Sequence, residues 1–204
     1  MNTNLNVPVL FLVFNRPETT AKVFDAIRNV RPRQLFIAAD GPRPNRAGEA
    51  ECCEIVRRIV TQVDWDCEVK LLFRDNNLGC GKAVSEAITW FFQEVEYGIV
   101  LEDDCLPVPS FFQFCETLLL RYKDDPRIAI VSGFNVFKKR MSRESYFLSI
   151  YPSIWGWASW SRAWKEYNLS VPEWHSSSAK KQILSALPKK VRDFLDDQLG
   201  EIVR

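Results

Sequence analysis

The sequence predicts a doubly wound α/β fold, that is, a mainly parallel sheet with helices on both faces. Short continuous apolar runs alternate with stretches in which apolar residues recur at helical spacing. Because a crossover helix lets successive strands run in the same direction, repeated strand–helix–strand units imply parallel pairing. The length of 204 residues suits one such domain and allows a sizeable core.

Five apolar runs are the predicted strands, at residues 9–14, 35–39, 69–73, 99–101 and 128–131. The first run is apolar without interruption, as expected for a strand that is buried on both faces. Pro17 predicts the start of the first helix, since proline loses no hydrogen bond at the first helical position. Further helices are predicted where apolar residues recur at helical spacing, in residues 56–63, 84–95 and 109–122.

The regular alternation stops near residue 140. We therefore divide the chain into residues 1–140 and residues 141–204, which we expect to belong to the same domain. In the second part, residues 146–151 are a candidate antiparallel strand, and the tail from Ser177 has helical spacing. This helical pattern still continues at Arg204, which leaves open whether the chain is a fragment of a longer protein.

Composition and charge disfavour several classes of protein. The 27 basic and 26 acidic residues nearly cancel, whereas nucleic-acid binders usually carry a basic excess. No apolar run reaches the roughly 20 residues of a transmembrane segment, and residues 1–4 lack the pattern of a signal peptide. The default location is therefore the cytoplasm, with peripheral membrane contact left open. Six cysteines without a CxxC pair, and a single histidine, favour reduced thiols over a structural zinc site.

Polar or turn-forming residues follow every predicted strand. In open α/β sheets, ligands bind in the crevice beyond the carboxyl ends of the strands, so these residues are candidates for a binding site. They are Asn15 and Arg16, Asp40 and Gly41, residues 75–77, residues 102–104, and residues 132–135.

Glu102, Asp103 and Asp104 form an acidic triplet directly after a buried strand. Adjacent carboxylates near a low-dielectric core repel one another, which costs stability unless a cation or hydrogen-bond donors compensate. Oxygen ligands suit Mg²⁺ or Mn²⁺, and Mg²⁺ in particular is usually held by one or two carboxylates together with substrate phosphates. The triplet therefore predicts a metal site, against the simpler interpretation of a solvated acidic turn.

Three other sets of residues have both a binding and a structural interpretation. Arg16 offers a fork of donors to a phosphate, or is a surface arginine before a helix. Asp40 with Gly41 accepts hydrogen bonds from a base or a ribose, or forms a simple turn. The loop from Asn77 to Lys82 has glycines and a lysine near a helix start, but its spacing fits neither a P-loop nor a dinucleotide fingerprint.

Taken in order, these segments resemble the GT-A nucleotide-diphospho-sugar transferases over roughly residues 7–170. The last of the matching segments is similar to the Asp-X-Asp metal motif, in the Glu-Asp-Asp form of the N-acetylglucosaminyltransferases that begin complex N-glycans. A later stretch, residues 155–164, resembles bacterial glycosyltransferases of family 2. The matching segments at the strand ends are residues 14–17, 39–41, 77–79 and 101–104.

The resemblance implies a GT-A fold and a role for each matching residue. Asp104 would be the ligand of Mn²⁺ or Mg²⁺, while Asp103 and Glu102 would face the ribose and the donor sugar. Residues 1–140 would bind the donor, and residues 141–204 would form the acceptor side and the C-terminal helices. The implied donor-binding residues are Asn15, Arg16, Asp40, Gly41, Asn77, Lys82, Glu102 and Asp103. The implied acceptor-side residues are Trp155, Gly156, Trp157 and Trp160, and core packing is the alternative for these tryptophans.

The resemblance further implies a metal-dependent glycosyltransferase of the kind used in bacterial polysaccharide biosynthesis. Such an enzyme moves a sugar from a nucleotide-diphosphate donor, here expected to be a UDP-sugar, to a glycan, lipid or protein acceptor with inversion. Inversion requires a general base, but the tryptophan-flanked acid of the relatives has no counterpart before Arg204. Asp193, Asp196 and Asp197 follow an ordinary amphipathic pattern, so the base stays unassigned.

Two alternatives remain open. A non-catalytic module that binds nucleotide sugars or glycans is compatible with the unassigned base. A nucleotidyltransferase that makes sugar nucleotides fits less well, because such enzymes carry a glycine-rich phosphate loop after the first strand. Residues 14–17 contain no glycine.

Overall fold

The computed structural model describes residues 4–135, 143–185, 187–189, 191–193 and 195–196. Its strands are β1 (Val9–Val13), β2 (Gln34–Ala39), β3 (Glu68–Phe73), β4 (Tyr97–Glu102), β5 (Ile130–Ser132) and β6 (Trp157–Trp160). Its α-helices are α1 (Pro17–Val30), α2 (Glu49–Val60), α3 (Cys80–Glu94), α4 (Pro109–Arg121), α5 (Ser161–Trp164) and α6 (Ser177–Ser185), and a 3-10 turn spans Pro172–His175.

The strands form one mixed sheet in the order β3-β2-β1-β4-β6-β5. The four strands from β3 to β4 pair in parallel, whereas β6 is antiparallel to both β4 and β5. The predicted α/β class, with helices flanking a sheet, is confirmed. The start of α1 at Pro17 is confirmed as well.

The two differences from the predicted strands lie in the last part of the sheet. Residues 146–151 do not form a strand, and β6, which was not predicted, lies between β4 and β5. The reason is that strand formation here depends on partners that are distant in sequence. Residues 157–160 are buried and pair on both sides, whereas most of the apolar side chains of residues 146–151 are exposed to solvent.

Strand β1 is buried on both faces, which explains its uninterrupted apolar run. Successive side chains of a strand point to opposite faces. Val9, Phe11 and Val13 therefore belong to the core layer that also contains residues of α1, α2 and α4. Leu10 and Leu12 belong to the layer on the other face, which contains residues of α3.

The strand order reverses between β1 and β4. From β1 the chain continues through β2 to β3 on one side, and it returns to β4 on the other side of β1. In doubly wound sheets such a switch point opens a crevice at the carboxyl ends of the two strands, where ligands bind. A ligand site is therefore expected among the residues that follow Val13 and Leu101.

Contacts within the chain define two units, Met1–Lys165 and Glu166–Arg204. The first unit contains the whole sheet and helices α1 to α5. The second contains α6, which begins at Ser177 within the tail that was predicted to be helical. Of the late aspartates, Asp193 and Asp196 belong to this second unit, and Asp197 lies outside the described residues. None of the described helices is long and apolar enough to cross a bilayer.

Candidate functional site

Arg16 and the acidic triplet meet at the switch point between β1 and β4. Arg16 follows β1, and the triplet begins at the last residue of β4. Because the two strands are adjacent and parallel, their ends lie at the same edge of the sheet. Nη1 of Arg16 donates hydrogen bonds to Oδ2 of Asp104 at 2.6 Å and to Oδ1 of Asp103 at 3.1 Å. The backbone N–H of Phe14 also donates to Oδ2 of Asp103, at 3.3 Å.

The three carboxylates differ in burial and in charge balance. Asp103 is buried, whereas 51% of the Asp104 side chain is exposed. Burial raises the pKa of Asp103, and the neighbouring Arg16 opposes that rise. Burial also raises the pKa of Glu102, and the charges of Asp104 and Asp103 add to the effect. Arg16, whose pKa is raised chiefly by Asp103, carries a single positive charge, so the cluster retains a negative excess.

Asp40 joins the end of β2 to the loop before α3. Its Oδ1 accepts hydrogen bonds from the backbone N–H of Gly41 at 2.9 Å and of Leu78 at 3.0 Å. Its Oδ2 accepts from Nδ2 of Asn77 at 2.9 Å and from the N–H of Gly79 at 3.2 Å. This carboxylate is therefore largely occupied by protein donors, and it fixes one wall of the site.

A cleft of about 270 Å³ lies between these groups. It brings together six residues of the predicted site, namely Arg16, Asp40, Asn77, Glu102, Asp103 and Asp104. The remaining wall includes side chains of β1, β2 and the first turn of α3. These six residues, which lie at the ends of the four parallel strands, thus share one cavity.

Three other residues of the predicted donor site do not line this cleft. Nδ2 of Asn15 donates to Oε2 of Glu49 at 2.9 Å. Gly41 packs against the backbone of Asn76. Lys82 is exposed, with its Nζ 3.8 Å from a carboxylate oxygen of Glu86. Their roles in donor binding stay predictions.

The tryptophan segment divides into buried and exposed rings. Trp157 belongs to the core layer of α3, and Trp160 is buried with its Nε1 donating to the carbonyl of Leu119 at 3.2 Å. Core packing therefore accounts for both rings. Trp155, which is 63% exposed, packs edge-on against Phe134, with the ring centroids 4.8 Å apart. Gly156 adopts φ +71°, in the left-handed region, just before β6.

Trp155 lies at the same edge of the sheet as the acidic triplet. The register pairs Val100 with Trp157 in antiparallel fashion, so β6 begins at the edge where β4 ends, and Trp155 precedes β6 by two residues. Among the four residues predicted for the acceptor side, Trp155 presents an exposed ring, although it is not one of the residues that line the cleft. That all four contact an acceptor stays a prediction.

Two arginines that the sequence analysis did not select also line the cleft. Arg43 forms an ion pair with Glu49, which holds the pKa of that carboxyl at about 2, and its guanidinium lies 5.7 Å from the centre of the Phe14 ring. Arg74 directly follows β3. For Arg74 the available signal was a cation directly after a strand, as for Arg16. Arginine is common on protein surfaces, so this signal was weaker than that of the acids and amides at the neighbouring strand ends.

The residues at the triplet suit a cation that is shared with a ligand. Among the described residues, no three His, Cys, Asp or Glu side chains form a complete metal cage. A hard divalent cation does not need one, because one or two carboxylates and phosphate oxygens suffice. Asp104 offers an exposed carboxylate beside a negative excess, so the donor set is compatible with Mg²⁺ or Mn²⁺, and the role of Asp104 as the ligand stays a prediction.

Glu102→Gln is expected to stabilise the metal-free protein by about 0.5–1 kcal/mol at pH 7. The folded pKa of Glu102 lies above its ordinary value of 4.5, so the folded state binds the carboxyl proton more tightly than the unfolded state. The free energy of unfolding therefore falls as the pH rises from below 4.5 through the folded pKa. The gain should therefore shrink near pH 4. Thermal unfolding in chelator at both pH values measures it, with the exposed Glu51→Gln on α2 as the control. Equal gains at both pH values would show that charge is not the cause.

Gly41→Ala is expected to destabilise the protein by about 2–3 kcal/mol. A Cβ at Gly41 would lie 2.5 Å from the backbone of Asn76, and backbone atoms move aside less easily than a flexible side chain. Gly48→Ala is the control, because that site has φ +77° but open space for the Cβ, and it should cost about 1 kcal/mol. Urea unfolding compares the two, and a smaller loss at Gly41 than at Gly48 would contradict the close approach.

Comparisons of the whole sequence with protein-family models and with curated proteins found no match.

Proposed function

We propose that this chain is the donor-binding part of a metal-dependent glycosyltransferase that uses a nucleotide-diphosphate sugar. The observation that carries the proposal is the contact of Arg16 with Asp103 and Asp104 at the switch point of the sheet. The same cleft contains Asp40 and Asn77. A crevice at this place is where open α/β sheets bind ligands, and its mixture of cations and carboxylates suits an anionic ligand that arrives with a metal.

The charges in the cleft match the chemistry of glycosyl transfer. Positive charge develops on the sugar carbon in this reaction, and negative charge develops on the departing diphosphate. Arg16, with Arg43 and Arg74 on the same cleft, would stabilise that negative charge where it forms. Mn²⁺ or Mg²⁺ held by Asp104 would supply Lewis-acid stabilisation of the same leaving group.

The more buried residues would position the donor. Asp103 is held by Arg16 and by the N–H of Phe14, so it fixes the orientation of the guanidinium. Glu102 and Asp103 would accept hydrogen bonds from ribose or sugar hydroxyls. The cleft volume of about 270 Å³ is near the lower limit of ligand pockets, which suits the ribose and diphosphate rather than the whole donor.

A second candidate function is a non-catalytic module that binds nucleotide sugars. The observation that favours it is the small set of cleft carboxylates that could act as a general base. Among the described residues, the carboxylates that line the cleft are Asp40 and the acidic triplet, and Asp40 is engaged by protein donors. An inverting transferase needs a further base near the acceptor.

The release of UDP distinguishes the two functions. The chain is incubated with UDP-sugars and Mn²⁺, with and without oligosaccharide or lipid acceptors, and free UDP is measured. A transferase is expected to release UDP slowly by donor hydrolysis, and faster with a suitable acceptor. Binding of the donor without any release would favour the module, and the absence of donor binding would contradict both functions.

A further inference from the structure

Arg16 contacts two carboxylates that differ in how firmly they can hold it. Its Nη1 donates to both, at 3.1 Å to Asp103 and at 2.6 Å to Asp104. The side chain of Asp103 is 8% exposed, whereas those of Arg16 and Asp104 are 56% and 51% exposed. An ion pair between exposed groups is weak, but a buried carboxylate that loses its cation is left with an uncompensated charge. Asp103 is therefore the firm partner of Arg16, and Asp104 is the exchangeable one.

Both carboxylate oxygens of Asp104 accept hydrogen bonds from groups of the chain itself. Oδ2 accepts from Arg16, and Oδ1 accepts from the thiol of Cys105 at 3.7 Å. A divalent cation and a guanidinium that share one carboxylate repel each other, because both are positive and lie within a few ångströms. Binding of a divalent cation at Asp104 is therefore opposed as long as Arg16 keeps its contact with that residue.

A diphosphate in the cleft would give the guanidinium a second anionic partner. The planar fork of arginine suits phosphate oxygens, and Arg16 lines the same cleft as Arg43 and Arg74. Its contact with the buried Asp103 keeps the guanidinium in the cleft after it leaves Asp104. Each ligand thus makes room for the other, since the cation occupies Asp104 and the diphosphate occupies Arg16. Two ligands that favour each other in this way bind cooperatively.

We propose that Arg16 blocks the metal ligand Asp104 in the empty cleft, and that it turns to the diphosphate when a divalent cation takes its place. This inference rests on the proposed function, because it takes Asp104 as the metal ligand. It adds a regulation of that site: Arg16 opposes the binding of the metal alone but favours the binding of the nucleotide with the metal. A residue that only maintained the shape of the acidic triplet would favour both, so the sign of the effect on metal affinity distinguishes the two roles.

Arg16→Gln tests this regulation through the binding of Mn²⁺ alone, measured without nucleotide by electron paramagnetic resonance. The variant is expected to bind Mn²⁺ about two- to fivefold more tightly than the wild type, which is the contribution of an exposed ion pair. Its affinity for UDP in Mn²⁺ should fall about tenfold or more, because a charged hydrogen bond to phosphate is lost. The glutamine amide can still donate to Asp103, and thermal unfolding verifies the fold. Arg16→Lys, which keeps a cation beside Asp103, should change both affinities in the same directions but less.

Arg74→Gln is the matched control, because Arg74 lines the same cleft but forms its ion pair with Glu86. It removes the same charge from the cleft, so its gain in affinity for Mn²⁺ alone should be clearly smaller than that of Arg16→Gln. An equal gain in the control, or unchanged or weaker Mn²⁺ binding by Arg16→Gln, would overturn the inference and leave the proposed function standing if the wild type binds UDP with Mn²⁺. A wild type without Mn²⁺-dependent binding of UDP would contradict both.

Discussion

Asp104→Ala is expected to abolish Mn²⁺-dependent binding of UDP, with a loss of affinity of about 100-fold or more. Replacing a residue that only supports a metal ligand typically costs 10- to 100-fold, so loss of the ligand itself should cost at least as much. Asp104 is the most exposed residue of the acidic triplet, and the variant removes its charge from the lining of the cleft. Isothermal titration calorimetry with UDP and Mn²⁺ measures the effect.

Asp64→Ala is the matched control for this variant. Asp64 has a similar exposure to Asp104 and also forms an ion pair with one arginine, Arg28. Exposed ion pairs contribute little to stability, so both variants should remain folded. The metal-site assignment would be contradicted if Asp104→Ala bound UDP like the wild type, or if Asp64→Ala lost affinity to the same extent.

Asp40→Ala is expected to lower the free energy of unfolding by about 2–4 kcal/mol. The carboxylate accepts hydrogen bonds from the N–H groups of Gly41, Leu78 and Gly79 and from the side chain of Asn77. Hydrogen bonds to a charged acceptor are among the stronger ones, and the variant leaves these donors without it. Urea unfolding gives the free energy, and nucleotide affinity should fall as well because a wall of the cleft is released.

Asp75→Ala is the control for Asp40→Ala. Asp75 lies in the same loop region but is exposed, so its replacement should change stability by less than about 0.5 kcal/mol. Equal stability of the two variants would show that the Asp40 contacts do not hold the loop.

Local sequence signals determined much of the fold. The continuous apolar run of β1 and the proline at the start of α1 predict their elements because burial and backbone geometry act on neighbouring residues. The place of β6 depends instead on pairing with β4 and β5, which are distant in sequence. Residues 146–151 have a suitable composition for a strand but no pairing partner, so composition alone misled the prediction.

The candidate site was predictable to the extent that strand ends share an edge. Arg16 and the triplet were each predicted from a strand end, and the adjacency of β1 and β4 brings them into contact. The different surroundings of Trp155 and Trp160 were not predictable, because they follow from the antiparallel register of β6. The place of Arg43 in the lining of the cleft was not predictable either, because it depends on an ion pair with Glu49 at the start of α2.

We expect Arg16 and the acidic triplet together to hold a divalent cation and a diphosphate. A calorimetric titration of the intact chain with UDP, once with Mn²⁺ and once with a chelator, measures this. The expected result is a dissociation constant in the micromolar to low-millimolar range with Mn²⁺, and no measurable binding with the chelator. Equal affinity under both conditions, or no binding under either, would contradict this metal-dependent site.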